Sequence, residues 1–283
     1  MKARQNLKTR NFMEMLKARW EQGKSVCVGL DSELGKIPAE VKYPSKLDRI
    51  RAFNRAIIEH TSDLVCAYKV NLAFYVAQGI EGILALYHTV SEANAIAPEV
   101  PIILDAKYAD IGNTNVGYVE QAFGYLHADA VTLNPYFGKE ALEPFLAQKD
   151  KGCIIVCRSS NVGAGEFQNL LVGGVPLYRV VALNVACAWN ENGNCAVVVG
   201  ATYPDELRAV RKIVGDMPIL VPGIGAQGGD LEATVAAGKD SRGQGMIIAA
   251  SRSIIFAGGG QNFAEAARRE TQRLHDAINR YRS

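Results

Sequence analysis

Lys69, Asp105, Lys107 and Asp110 are charged residues of alternating sign gathered at the ends of two apolar runs. The first run closes on Tyr68-Lys69-Val70-Asn71, the second on Asp105-Ala106-Lys107, with Tyr108-Ala109-Asp110 beyond it. If both runs are strands, the two-residue side-chain period sends Asp105 and Lys107 to one face. Asp110 then falls past the strand, on the following loop. An isolated Asp-x-Lys is commonly a structural ion pair. Charges at the ends of several strands at once argue for a site, because each buried charge needs a partner. At an effective dielectric near 20, opposite charges 4 Å apart attract by about 4 kcal/mol. Carboxylates flanking Lys107 favour its protonated form, an acid and not a Schiff-base nucleophile. An ammonium beside a carboxylate suits one task, stabilising a carbanion and then protonating it.

A second group lies near the C-terminus. Pro222-Gly223-Ile224-Gly225-Ala226-Gln227-Gly228-Gly229-Asp230 contains a G-x-G-x-x-G, a weak signal by itself. A dinucleotide site would want an acid about 20 residues further on, where the apolar Ile248 and Ala249 stand instead. Glycines in this setting let backbone N–H groups approach an anion. Ser251-Arg252-Ser253 follows the last apolar run and adds a guanidinium to the same region.

The elements that must position these groups follow a rhythm. Short apolar runs occur at Ser25–Leu30, Leu64–Val70, Pro101–Asp105, Ala130–Leu133, Gly152–Cys157, Cys195–Val199, Ile219–Val221 and Gly245–Ala250. They are too continuous for half-exposed antiparallel strands and read as buried parallel ones. Helical periodicity fills most of the intervals. Ile50, Phe53, Asn54, Ile57 and Ile58 make one apolar face, Val76, Ile80, Ile83, Leu84 and Tyr87 a second, and Leu207, Val210, Ile213 and Val214 a third. A helix over about 9–23 opens the chain and one over about 261–281 closes it. Eight strand–helix alternations without a linker predict α/β architecture, a single-domain (β/α)8 TIM barrel over 1–283. A doubly wound open sheet is the other arrangement of such alternation. In a barrel the runs end at the face where active sites assemble, and the loops after the seventh and eighth strands are its usual phosphate site. The long connections Asp31–Asp63 and Arg158–Asn194 leave that same face.

Composition excludes several classes. Thirty-one Lys and Arg against 29 Asp and Glu leave a formal charge of +2, which gives no support to binding nucleic acid or an anionic membrane. No apolar run reaches the roughly 18–20 residues of a membrane span, and no signal-peptide core is visible. The six cysteines lie mostly in apolar runs, without Cys-x-x-Cys or a histidine at ligand spacing, as expected of buried thiols in a reducing compartment. No metal site is expected, and the chain reads as cytoplasmic.

Asp105–Thr114, D-A-K-Y-A-D-I-G-N-T, resembles the signature of the orotidine 5′-phosphate decarboxylase family. Pro222–Asp230 with the later Ser-Arg-Ser resembles that family's phosphate site, and the likeness runs in order from Asp31 to Arg252, in the longer bacterial-type branch. The resemblance implies a homodimeric barrel enzyme that converts orotidine 5′-phosphate to UMP and CO2 in de novo pyrimidine biosynthesis, without metal or organic cofactor. By the same resemblance Lys107 delivers a proton to C6, Asp105 lies beside the substrate carboxylate, Lys69 bonds Asp105 and the ribose, and Asp31 holds the ribose. Asp110 and Thr114 match residues donated across the dimer interface. Gln227, Gly228 and Arg252 match the phosphate grip. A serine of Arg158-Ser159-Ser160-Asn161 meets the pyrimidine edge, Ser160 being preferred and Ser159 the alternative. Two other functions are weighed: a metal-dependent decarboxylase of a sugar-acid phosphate, which would want an acid in place of Lys69, and a catalytically silent sensor of phosphorylated ligands, in which one of the four charges should be lost.

Overall fold

The computed structural model describes residues 10–224 and 230–282. All eight apolar runs are parallel strands: β1 (Val26–Gly29), β2 (Val65–Asn71), β3 (Ile102–Tyr108), β4 (Ala130–Leu133), β5 (Gly152–Arg158), β8 (Cys195–Val199), β9 (Ile219–Pro222) and β10 (Met246–Ala250). They close in that order, β10 pairing back to β1, with helices between them. The fold is the expected (β/α)8 barrel. A small antiparallel hairpin, β6 (Leu171–Val172) and β7 (Val175–Pro176), lies in the long connection after β5.

Both faces of the strands are buried, which is why the runs are continuous in sequence. Val26 and Val28 join the core between strands and helices, while Cys27 between them points into the barrel with Ile103, Ile154, Ala196, Leu220 and Ile247. The helix Phe12–Glu21 stoppers the lower end: Phe12, Leu16 and Trp20 are buried against that inner layer, and Trp20 Nε1 donates to the Met246 carbonyl at 2.8 Å. Asn11 caps this helix through the Glu14 N–H, and Gly23, at φ +78°, carries the chain out of it. The closing helix spans Phe263–Arg282 and buries Phe263, Ala267, Leu274 and Ile278.

One helix departs from the sequence reading. The row Val76, Ile80, Ile83, Leu84 and Tyr87 has the spacing of a packing face, yet these side chains are exposed, Ile80 by 82%. Within Ile80–Ile96 it is Ala85, Leu86, Val90 and Ala93 that pack inward. This helix carries apolar side chains on opposite sides, so periodicity does not select the buried one; the fit of small residues against the neighbouring layer does. Tyr125 and Ile111 are also exposed, and the Tyr125 ring lies 5.6 Å from that of Tyr87. Among the described residues no helix is long and apolar enough to cross a membrane. Five of the six cysteines are buried and Cys187 is exposed; all six are free thiols.

Candidate active site

A cavity of about 370 Å³ opens at the C-terminal ends of the strands. Its walls bring together Asp31, Lys69, Asp105 and Lys107 on one side and Gly223, Ser251, Arg252 and Ser253 on another, with apolar Val156, Val198, Leu220 and Ile224 between.

The charged side is a chain of alternating sign. Lys69 Nζ lies 3.4 Å from Asp31 Oδ1 and 3.2 Å from Asp105 Oδ2, and Lys107 Nζ lies 2.6 Å from Asp105 Oδ1. Asp31, Lys69 and Asp105 are buried in the cavity wall, whereas the Lys107 side chain is half exposed. Burial alone would push the Lys69 ammonium down, but the carboxylates of Asp31 and Asp105 outweigh it and hold this lysine above its usual range. Burial would push Asp105 up; Lys69, Lys107 and hydrogen bonds from Lys107 and Thr132 hold its carboxyl well below the usual range. The thiol of Cys27, below this cluster in the barrel, is pushed up to about 12 by burial. Asp105 therefore stays ionised between two ammonium groups, and the Lys69 ammonium occupies the space between two carboxylates where a cation would otherwise sit. Among the described residues no group of three or more His, Cys, Asp and Glu is placed to hold a metal ion.

Asp105 and Lys107 meet as the sequence reading expects, but not by simple strand alternation. Pairing of β3 with β4 steps from Leu104↔Val131 to Tyr108↔Leu133, so β3 spends four residues where β4 spends two. Lys107 sits in this bulge at φ +50°, a backbone region that non-glycine residues rarely adopt.

The remaining expected residues divide. Ser159 and Ser160 both line the cavity. The Ser159 hydroxyl is engaged by its own loop, donating to Asn161 Oδ1 at 2.8 Å and accepting from Gln168 Nε2 at 2.9 Å. Ser160 packs on Gly200, where an added Cβ would fall 2.7 Å from the Ser160 Cβ, so only glycine admits this approach. Arg252 lines the cavity at the start of the short helix Arg252–Ile255. Asp110 and Thr114 do not line it: Asp110 caps the Ile111 N–H at 2.7 Å, and Thr114 is exposed on the helix Gly112–Val119. Gln227 and Gly228 lie outside the described residues. On either side of them, Gly223 adopts φ +104° at the cavity wall and Asp230 caps the helix Leu231–Gly238.

Several participants escaped the sequence reading. Thr132 and Asn71 both donate to Asp105, at 2.8 and 3.4 Å. Arg158 lies buried under the β5 loop, 2.9 Å from Glu206 and with its guanidinium 4.1 Å from the centre of the Tyr203 ring. Behind Asp31, Ser32 donates to Asn54, whose amide donates to Tyr75 and Thr89, while Tyr75 donates to the Leu30 carbonyl. Each is an ordinary polar residue, and its signal is a spatial neighbour, not a spacing.

Comparison with known proteins gives a consistent picture. Residues 24–268 match the model of a family described as "Orotidine 5'-phosphate decarboxylase / HUMPS family". The chain is 48% identical over 273 residues to the orotidine 5′-phosphate decarboxylase of Azoarcus sp. (strain BH72), covering 96% of this chain and 100% of the relative. It is 46% identical over 270 residues to the enzyme of the same name from Cellvibrio japonicus (strain Ueda107), covering 95% and 98%. Among solved structures, the OMP decarboxylase of Leishmania donovani superposes with a TM-score of 0.83 at 34% identity, covering 96% of this chain and 98% of that one.

Proposed function

The chain belongs to the orotidine 5′-phosphate decarboxylase / HUMPS family, and from that premise we propose that it decarboxylates orotidine 5′-phosphate to UMP and CO2 in pyrimidine biosynthesis, as a cytoplasmic enzyme. The observation that carries the reading is the half-exposed Lys107 ammonium held on Asp105 at 2.6 Å, with Lys69 behind it. In the reaction the C6–carboxylate bond breaks, CO2 departs and its bonding pair stays on C6. The Lys107 ammonium stabilises that developing charge and gives C6 its proton, becoming a neutral amine that solvent reprotonates. Asp105 lies beside the substrate carboxylate and, 2.6 Å from the Lys107 Nζ, keeps that side chain aimed. Asp31 and Lys69 hold the ribose. Arg252, with Gln227 and the Gly228 backbone, takes the phosphate, whose remote binding energy orients the reacting end. Ser160 meets the pyrimidine edge; its hydroxyl has no partner among the described residues, whereas that of Ser159 is already used.

The enzyme works in this reading without metal or organic cofactor, since Lys69 supplies the positive charge between Asp31 and Asp105. It acts as a homodimer, each subunit lending Asp110 and Thr114 to the neighbouring cavity. The exposed apolar row Val76, Ile80, Ile83, Leu84 and Tyr87 supports this, because a contiguous surface of that kind favours a covering partner. The test uses EDTA-treated protein and orotidine 5′-phosphate, followed by the loss of ultraviolet absorbance. Turnover without added metal is expected. Activity that returns only with Mg²⁺ would favour the metal-dependent sugar-acid-phosphate decarboxylase, and binding without turnover the silent sensor.

A further inference from the structure

We propose that Thr132 is a positioning residue for the decarboxylation, its hydroxyl locking the bulged backbone of Lys107 and the carboxylate of Asp105 into one unit. The inference rests on the decarboxylase reading. Thr132 is the middle residue of the β4 stretch across which the register with β3 slips, and its side chain points into the barrel with 1% of the residue exposed. Its Oγ1 accepts the Lys107 backbone N–H at 2.9 Å and donates to Asp105 Oδ1 at 2.8 Å. A hydroxyl has a single proton, and an N–H can only donate, so the direction of both bonds is settled: the proton lies on the Asp105 side.

The two bonds act on the same pair of residues. Asp105 Oδ1 is the oxygen that also takes the Lys107 ammonium at 2.6 Å, so Thr132 fixes the carboxylate and the lysine backbone from one atom. Without it, the Lys107 N–H has no ladder carbonyl opposite it in the slipped register and its left-handed conformation loses its restraint. Lys69 and Asn71 grip the other oxygen, Oδ2, and do not replace the lost bond. The ammonium head then samples positions away from C6. Displacements of that kind, on the order of 1 Å, cost about 100-fold in rate. The nucleotide phosphate and sugar are held by other groups, so ground-state binding changes little.

Thr132→Val removes the hydroxyl with little change of shape, and Thr132→Ser keeps it. For Thr132→Val we expect kcat to fall about 10–100-fold, with the affinity for UMP by titration calorimetry within about threefold of wild type. Thr132→Ser should recover kcat to within about threefold. Should the valine variant fail to fold by circular dichroism, Thr132→Ala is the second hydroxyl-free variant, with the same expectations. Wild-type kcat in the hydroxyl-free variant, or a serine variant as impaired as the valine one, would overturn the assignment. A wild-type protein that fails to turn over orotidine 5′-phosphate would instead overturn the decarboxylase reading, and this inference with it.

Discussion

Among the described residues Lys69 is the cation that lies between Asp31 and Asp105, and replacing it with methionine tests the electrostatic account of the site through stability alone. Its ammonium lies 3.4 Å from one carboxylate and 3.2 Å from the other, all three side chains being nearly buried. At an effective dielectric of 20, each contact corresponds to a gross attraction of about 5 kcal/mol. Methionine also removes the cost of burying the ammonium, so the net loss is smaller; breaking a buried pair by deleting one partner costs about 3–5 kcal/mol. For a chain of 283 residues, an unfolding entropy of roughly 2 cal/mol/K per residue turns that loss into a fall in Tm of about 5–8 °C. Asp105 keeps Lys107, so Asp31 carries most of the deficit, and Lys69→Met/Asp31→Asn should regain part of the loss. In the wild type the folded pKa of Asp105 is depressed, so its stabilisation is present above its unfolded pKa of about 3.9 and is lost only as the pH falls through the lower folded value. The Tm gap between the two proteins is read by scanning calorimetry at pH 7.5, and a gap below about 2 °C would refute the reasoning.

The other expectations are shorter. Lys107→Ala should fold normally, since this side chain is half exposed, while kcat falls by about 1,000-fold or more; substantial residual turnover removes Lys107 from the role of acid. Arg252→Ala should lower kcat/KM by about 10–100-fold, the worth of a charge-assisted hydrogen bond to phosphate, and unchanged kcat/KM counts against the phosphate assignment. Ile80→Glu places a charge on the most exposed residue of the outward apolar row; on the proposed homodimer, the wild type should sediment as a dimer and this variant as a monomer. An unaltered sedimentation coefficient would move the interface elsewhere.

Much of the barrel was legible because buried parallel strands leave a one-dimensional trace: apolar runs of strand length separated by helical periodicity. Lys69, Asp105 and Lys107 were legible for a related reason, since charge at the end of a buried strand is costly enough to stand out by residue type. The outward face of Ile80–Ile96 was not legible, because this helix carries apolar side chains on two opposite sides and the shape of the neighbouring layer selects which one packs. The same limit holds for the two serines, adjacent in sequence and alike in chemistry, of which Gln168 and Asn161 engage the hydroxyl of one while the other packs on Gly200. The sequence by itself therefore determined which elements form, their order around the barrel and that Lys69, Asp105 and Lys107 carry charge at strand ends, because hydrophobic period and charge are properties of the chain. Only the tertiary structure decided how those groups are aimed: the bulge at Lys107, the Thr132 hydroxyl that holds it and the seating of Lys69 between two carboxylates arise from contacts between different strands, where ångström-scale register, invisible in residue spacing, sets the geometry.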